Sequence, residues 1–343
     1  MDLTPSAAAP LVSVVTIFLD AGAFLEEAIR SVFGQTYTHW ELLLVDDGST
    51  DRSSAIARDY AGREPGKVRY LEHPGHVNRG MSASRNLGIR CARGGLIALL
   101  DADDVWLPRK LEEQVAILAS RPEVGMVIGR SRYWFGWTGR AEDAGRDAAP
   151  EYDVAAGSIV DPPGLLRINY PLGGGTAPCP SDILFRADLV ARHGAFEEAF
   201  VGDLQLYEDQ AFLAKVYLKE KVYVSGETWD LYRQHRGSCV SQVKRAGRYH
   251  AVRARYLRWL AEYLEREGCR DPDVLRAMKR ALRPYDHPYL DAIRRAGRPF
   301  YKALRRSCGK VSRALSRARG ATSEVSSPSS PRGRPPRDGR PAG

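Results

Sequence analysis

The first 130 residues alternate apolar, strand-like segments with amphipathic, helix-like ones, and this alternation restricts the fold more than any other feature of the chain. Residues 12–18 form an apolar run rich in β-branched side chains, which is typical of a strand buried on both faces of a parallel sheet. Further strands are predicted at residues 41–45, 68–71 and 96–100. Apolar residues recur at helical spacing between these strands and after Pro108. The pattern predicts βαβ units, and therefore an α/β fold with an open, twisted, mostly parallel, Rossmann-like sheet flanked by helices.

Beyond residue 130 the alternation weakens, and the chain divides into segments of different composition. Residues 136–164 are rich in Gly, Ala, Asp and Pro, which predicts a long surface excursion. A short strand at 183–185 and helices at 206–218 and 249–264 are predicted after it. We expect three parts in the whole chain: a folded domain at residues 1–290, a basic amphipathic helical extension at 291–320, and a disordered Ser/Pro/Arg tail at 321–343.

The formal net charge of +9 originates in the C-terminal segment. Residues 291–343 carry a net charge of +11, which leaves residues 1–290 at −2. Apolar residues recur every three or four positions from Pro299 onward among Arg and Lys, a pattern typical of a basic amphipathic helix. Residues 299–319 are expected either to make a peripheral membrane contact or to dock on the folded domain. No nucleic-acid partner is expected, because no reading motif accompanies the charge.

The cysteines and the N-terminal residues indicate in which cellular compartment the protein is expected. The chain has five Cys and no CxxC pair, which argues against a disulfide framework or a structural zinc site and fits a reducing cytosol. Residues 1–5 lack the basic start and apolar stretch of a signal peptide, and no run reaches the roughly 18 apolar residues of a membrane span. The expected location is cytoplasmic, and peripheral at the inner membrane surface if the basic helix binds lipid.

Carboxylates directly follow two of the predicted strands. Asp46 and Asp47 follow the second strand, and Asp101, Asp103 and Asp104 follow the fourth. In open α/β sheets, ligands bind at the carboxyl ends of the strands. Converging carboxylates repel one another unless a cation joins them, so Asp101 and Asp103 predict Mg²⁺ or Mn²⁺ bridging to a diphosphate. Capping of the following helix is the alternative role for Asp46 and Asp104.

Six short segments resemble motifs of the family-2 glycosyltransferases. The first four stand in the family's order at residues 12–20 (VSVVTIFLD), 44–51 (LVDDGSTD), 80–89 (GMSASRNLGI) and 99–104 (LLDADD). Residues 207–210 (YEDQ) resemble the family's acidic catalytic motif, and residues 232–235 (YRQH) resemble a further family element. The resemblance therefore covers about 240 residues.

The resemblance implies the GT-A fold, a nucleotide-diphosphate-sugar donor and inversion at the anomeric carbon. At the matching positions, it implies that Asp47 holds the donor base and that Phe18 and Asp20 lie in the segment around the base and ribose. It places Asp101 near the ribose and Arg85 near the nucleotide. The first motif ends in IFLD where the family commonly has a PTYN-like run, which leaves the identity of the donor base open.

The same resemblance implies a metal site and a catalytic base. The DXD motif supplies Asp103 as a metal ligand with Asp101 beside it, and His235 is a further ligand or an ordinary loop histidine. Asp209 matches the general base that deprotonates the acceptor hydroxyl, and Glu208 orients the acceptor. Inverting transfer independently requires such a carboxylate away from the leaving diphosphate. The alternative is that both acids simply occupy the first turn of a helix, where negative charge is favoured.

These observations predict an enzyme, an inverting and metal-dependent glycosyltransferase whose catalytic domain is residues 1–290. The acceptor would be a hydroxyl of a cell-surface polysaccharide, a glycolipid or a protein glycan. Two other functions remain open at this point. One is a non-catalytic GT-A-fold binding or scaffold protein, and the other is a nucleotidyltransferase, which would release pyrophosphate.

Overall fold

Nine strands form one sheet in residues 9–288, the part of the chain that this computed structural model describes. In chain order they are β1 (Val12–Phe18), β2 (Trp40–Asp46), β3 (Val68–Glu72), β4 (Leu96–Leu99), β5 (Val105–Trp106), β6 (Val124–Trp134), β7 (Ser158–Val160), β8 (Leu184–Arg186) and β9 (Lys221–Arg233). Their spatial order is β3-β2-β1-β4-β8-β6-β9-β5, and β7 pairs with β9. The predicted segments 291–320 and 321–343 lie outside the described residues.

Eleven α-helices accompany these strands within residues 9–288. They are α1 (Leu25–Phe33), α2 (Ser53–Arg63), α3 (Met81–Cys91), α4 (Lys110–Ser120), α5 (Ala141–Ala144), α6 (Gly164–Ile168), α7 (Asp188–His193), α8 (Glu208–Lys219), α9 (Cys239–Arg245), α10 (Tyr249–Arg266) and α11 (Pro272–Asp286). Three short 3₁₀ helices span Gly136–Thr138, Pro180–Asp182 and Gly202–Tyr207. None of the helices described here combines the length and apolar character that a membrane span requires.

The parallel half of the sheet consists of the strands predicted from the sequence. β3, β2, β1 and β4 are mutually parallel neighbours, and every residue of β1 and β2 is buried. In the register between β1 and β2, Phe18 lies opposite Asp46, so both strands end at the same edge. Parallel strands place the turns that follow them at one edge of the sheet. The end of β4 lies at the same edge, and the predicted strand-end carboxylates therefore meet there.

The other half of the sheet is mixed and was not fully predicted. β8 pairs antiparallel with β4 and with β6, whereas the two long strands β6 and β9 pair in parallel. Within the predicted surface excursion at residues 136–164, Ser158–Val160 joins the sheet as β7. Within a stretch rich in Gly, Ala, Asp and Pro, the three residues of β7 give little strand signal of their own.

Gly88 allows α3 to pack closely against the parallel strands. A Cβ added at Gly88 would lie 2.4 Å from Val15 Cγ1 and 3.1 Å from Val45 Cγ2. We expect Gly88→Ala to lower the free energy of unfolding by about 1–3 kcal/mol in urea titration, because the added methyl overpacks the core. Gly62→Ala in α2 is the matched control, since a Cβ there meets nothing within 4 Å. It should raise stability by about 0.5–1 kcal/mol, and a Gly88→Ala variant as stable as the wild type would contradict the packing argument.

Candidate active site

A cleft of about 720 Å³ opens where β1, β2 and β4 end. Phe18, Asp47, Asp101 and Asp103 line it from the strand ends. The opposite wall is formed by the 3₁₀ helix at residues 202–207, the start of α8 and residues 235–248. Ligand pockets typically enclose roughly 300–1,000 Å³, so the cleft can hold a ligand the size of a nucleotide-sugar.

Arg85 joins two acidic groups that come from different parts of the chain. Its Nη2 donates to Asp101 Oδ1 at 2.7 Å, and its Nε donates to Glu208 Oε1 at 3.0 Å. Burial alone would lower the pKa of Arg85, but the two carboxylates raise it above its usual range. The sequence predicted Arg85 near the nucleotide. It does line the cleft, but its guanidinium is 1% exposed and links the β4 end to α8.

Glu208 and Asp209 occupy the first turn of α8 in different environments. Glu208 is 2% exposed, and burial raises its pKa to about 8 although Arg85 opposes the shift. Asp209 is partly exposed at the cleft, and burial raises its pKa to about 6. Its Oδ1 accepts a hydrogen bond from the backbone N–H of Gln210 at 2.7 Å. At neutral pH Asp209 is therefore ionised and faces the cleft, whereas Glu208 is largely protonated.

Asp103 and His235 meet at the cleft although they are far apart in the sequence. Asp103 Oδ2 lies 2.8 Å from His235 Nε2. Arg233 fixes the local backbone, because its Nε donates to the Asp103 carbonyl oxygen at 2.6 Å. The His235 ring also packs against Phe24, with 5.2 Å between ring centroids.

The groups at the end of β4 fit a divalent cation. Asp101 Oδ2 and Asp103 Oδ1 take part in no hydrogen bond among the described residues, and both residues line the cleft. Carboxylate oxygens are the ligands that Mg²⁺ prefers, and Mn²⁺ accepts both carboxylate and imidazole. Asp101, Asp103 and His235 are therefore the residues that would hold such an ion.

The residues predicted around the donor base all lie at the cleft. Phe18 is buried, and Asp20 accepts a hydrogen bond on Oδ1 from the backbone N–H of Thr50 at 2.7 Å. Asp47 is also largely engaged within the protein, where it anchors the start of α3. The donors to its carboxylate are the backbone N–H groups of Arg79 and Gly80 and the hydroxyl of Ser84.

Asp46 and Asp104, the other strand-end acids, are engaged within the protein and do not line the cleft. Asp46 Oδ1 accepts from the backbone N–H groups of Gly48 at 3.1 Å and Ser49 at 2.8 Å, so Asp46 holds a turn. Asp104 accepts from the hydroxyl of Ser181 at 2.5 Å and from the backbone N–H of Arg233. Both acids therefore have structural roles. These roles are similar to helix capping, the alternative given for Asp46 and Asp104 in the sequence analysis.

Asp104 also belongs to a buried cluster with Cys179 and Asp230. One ligand-type atom from each residue lies within 4.8 Å of the others. Burial raises the pKa of all three groups well above their usual values. Cys179 Sγ lies 2.9 Å from Ser131 Oγ and is a core hydrogen-bonding group rather than a nucleophile.

Two residues that support the site were not predicted. Gln205 Oε1 accepts from the backbone N–H of Met81 at 2.8 Å, which joins the wall at residues 202–207 to the start of α3. Arg233, within the YRQH segment, is buried among the aromatic rings of Phe24, Trp134 and Trp137. Both contacts connect residues about 100 or more positions apart, so a single sequence contains no signal for them.

Comparison with known proteins shows the family to which the chain belongs. A sequence model described as Glycosyl transferase family 2 matches residues 13–189. The putative teichuronic acid biosynthesis glycosyltransferase TuaG of Bacillus subtilis (strain 168) is 39% identical over 113 residues, which cover 33% of this chain and 43% of TuaG. Similar matches to two further curated glycosyltransferases cover 38% and 35% of their lengths, so the chain spans well under half of these relatives.

Solved structures show the same fold at low sequence identity. S. aureus TarS 1–349 in complex with UDP-GlcNAc superposes with a TM-score of 0.52 and 20% identity, over 67% of this chain and 60% of TarS. The mannosyltransferase PcManGT from Pyrobaculum calidifontis, in complex with GDP-Man and Mn²⁺, gives a TM-score of 0.50 and 20% identity over 88% of this chain and 83% of PcManGT. These likenesses confirm the predicted GT-A fold. Since the family match covers more than half of the sequence, the chain belongs to glycosyl transferase family 2.

Proposed function

We propose that the chain transfers a sugar from a nucleotide-diphosphate-sugar to a hydroxyl acceptor with inversion, and that Asp209 is the general base. One observation carries the proposal: a single cleft is lined by Asp101 and Asp103 at the end of β4 and by Asp209 at the start of α8. The first two acids suit the diphosphate end of a donor, and the third is a separate carboxylate for the acceptor. Inverting transfer requires this division of roles.

At the donor end, the carboxylates of Asp101 and Asp103 together with His235 would hold Mg²⁺ or Mn²⁺. The bound ion would neutralise charge on the diphosphate and so improve it as a leaving group. Arg85 positions one of these carboxylates through its 2.7 Å hydrogen bond to Asp101. Phe18 and Asp47, at the ends of β1 and β2, would bind the nucleoside.

At the acceptor end, Asp209 would remove the proton of the attacking hydroxyl. Its neighbour Glu208 is a poorer base at neutral pH, because burial raises the pKa of Glu208 to about 8 and leaves it largely protonated. Glu208 instead holds Arg85 through its Oε1 atom and so positions the site. The deprotonated hydroxyl oxygen then attacks the anomeric carbon on the face opposite the leaving diphosphate.

The comparisons indicate substrate classes for this proposal. TarS was solved with UDP-GlcNAc and PcManGT with GDP-Man, so uridine and guanosine donors are the first to test. TuaG is named for teichuronic acid biosynthesis, and a relative from Myxococcus xanthus is named an O-antigen biosynthesis protein. We therefore expect the acceptor to be a cell-surface glycan or its lipid-linked precursor.

A nucleotide-sugar screen with and without Mn²⁺ or Mg²⁺ tests the donor end. We expect one donor to raise the melting temperature and to be hydrolysed slowly, both only in the presence of the cation. Asp103→Asn should abolish the cation-dependent stabilisation, because it removes a negatively charged ligand. The exposed first-turn aspartate Asp188 of α7 provides the control variant Asp188→Asn, which should behave as wild type.

The screen also separates the alternatives. Unchanged donor turnover in Asp103→Asn would exclude the metal role. Release of pyrophosphate with formation of a nucleotide-sugar would indicate a nucleotidyltransferase. Donor binding without any turnover would indicate a binding protein.

The pKa of Asp209 predicts the acid limb of the pH profile. A base with a pKa raised to about 6 is ionised above that pH and loses its ionised form as the pH falls through it. The kcat/KM for transfer should therefore be level near pH 7–8 and fall about tenfold per pH unit below about pH 6. Donor stabilisation measured over the same range checks that donor binding is not the cause. A profile without this limb would contradict the assignment of Asp209 as base.

A further inference from the structure

Residues 231–261 have an unusual charge pattern that the proposed chemistry does not use. They contain eight Lys and Arg and no Asp or Glu, and they are bounded by Asp230 and Glu262. The segment includes the end of β9, all of α9 and the first part of α10. Arg233 is buried and pairs with Glu27, and Arg248 pairs with Asp203, so a positive potential would arise from the exposed basic residues of the segment that have no acidic partner.

Part of this segment forms a wall of the cleft. Val240 and Gln242 of α9 line it, so one side of this helix faces the cavity that contains Asp209. The face of α9 that lines the cleft also includes Cys239 and Val243, and Lys244 and Arg245 flank this face on the helix. Both basic side chains are exposed and therefore lie at the edge of this wall.

Arg248 is a positively charged residue of this segment that lines the cleft itself. Its Nε lies 3.0 Å from Asp203 Oδ2. Asp203 belongs to the 3₁₀ helix that leads directly into Glu208 and Asp209. Arg248 is therefore on the acceptor side of the cleft, and its side chain remains 60% exposed despite the ion pair.

We name Arg236, Lys244, Arg245 and Arg248 the basic rim. Within residues 9–288, no carboxylate lies at ion-pair distance from Arg236, Lys244 or Arg245. The acidic residues that line the cleft include Asp101 and Asp103 at the end of β4, where a cation would bind, and Asp203 and Asp209 on the side of the basic rim, where Arg248 pairs with Asp203. Three exposed cations without an acidic partner at the entrance of a cleft attract an anionic ligand.

We propose that the basic rim binds a negatively charged group on the acceptor, so that the accepting glycan carries a phosphate or a carboxylate near its reactive hydroxyl. This inference rests on the proposed function, because it assigns an acceptor class to the same cleft. The donor diphosphate is the weaker candidate, since the groups suited to it lie at the end of β4. A flat lipid surface is also weaker, because Arg248 lines the cleft itself.

The test uses the full chain and the donor found in the screen, with three octyl glycosides as probes: a neutral glucoside, a glucuronide and a glucoside 6-phosphate. Each is assayed as an acceptor and as an inhibitor of donor hydrolysis, and the second readout does not require the probe to be the natural acceptor. We expect the anionic probes to be better than the neutral one by roughly tenfold or more at low salt, with a smaller difference at high salt. The stronger of the two anionic probes distinguishes carboxylate from phosphate.

The variant Arg236→Glu/Lys244→Glu/Arg245→Glu should lose this preference while the KM for the donor stays within about twofold. The matched control is Arg270→Glu/Lys279→Glu/Arg280→Glu, which reverses three exposed basic residues outside residues 231–261, and it should keep the preference. Equal behaviour of neutral and anionic probes would overturn the proposal, as would a preference that survives rim reversal. A donor KM that rises as much as the acceptor effect would assign the rim to the donor.

Three further outcomes are informative. Release of the rim variant from vesicles of anionic phospholipid, with the probe preference intact, would assign the rim to a membrane and overturn the proposal. Absence of any donor binding or hydrolysis would contradict the proposed function itself. Donor hydrolysis that ignores probe charge would contradict only the inference about the acceptor.

Discussion

Asp209→Asn is expected to lower the kcat of sugar transfer by roughly 10²–10⁴-fold while the protein stays folded and binds donor. Asn has the same shape, and its Oδ1 can still accept the hydrogen bond from the Gln210 N–H. It cannot take a proton from the acceptor hydroxyl. Stability should be unchanged or slightly higher, because the variant removes a carboxylate whose ionised form is disfavoured by burial.

The comparison with Glu208→Gln makes this prediction specific to the base. Both residues belong to the first turn of α8, so the two variants place the same acid-to-amide substitution at the same end of the helix. Because Glu208 is largely protonated at neutral pH, Gln resembles its native state, and the activity loss should be much smaller. Equal losses in the two variants would indicate a general effect of substitution in the first turn of α8, and transfer by Asp209→Asn within tenfold of wild type would exclude Asp209 as base.

The sequence predicted the parallel half of the fold well for a physical reason. β1 and β2 are buried on both faces, so they are continuous apolar runs, and each is followed directly by a polar turn. β6 and β9 were missed because their patterns are interrupted. Gly125 and Gly129 stand within β6, and the register between the two strands shifts at three places. Glycine and bulges disturb the two-residue alternation by which a strand is recognised.

The candidate site was predictable wherever a strand end alone positions the side chain. Asp101 and Asp103 follow β4 and line the cleft for that reason. The partner of Arg85 was not predictable, because Glu208 lies 123 positions away and only the packing of α3 near α8 brings the two together. The structure thereby adds a link between the end of β4 and the start of α8 that the motifs alone did not contain.

Arg85→Met is expected to lower the free energy of unfolding by about 1–3 kcal/mol, because it leaves the buried Glu208 carboxyl without its hydrogen-bond donor. Met preserves most of the apolar volume of the side chain but removes the cation between Asp101 and Glu208. The buried Glu208 then loses the charged partner of its Oε1 atom, and Asp101 loses a 2.7 Å hydrogen bond. Urea titration at neutral pH measures the change.

Glu208→Gln supplies the second arm of a double-mutant cycle. Alone it should cost about 1 kcal/mol or less, since the native carboxyl is already largely protonated and the amide can keep one hydrogen bond to Arg85. The double variant Arg85→Met/Glu208→Gln should lose less stability than the sum of the two single variants. The reason is that each single variant disturbs the same Arg85–Glu208 interaction, which can be lost only once. Additive losses would mean that Arg85 and Glu208 do not interact. An Arg85→Met variant that loses less than about 1 kcal/mol would show that the ion pair in the structure contributes little, and the link between the two ends of the cleft would then rest on packing alone.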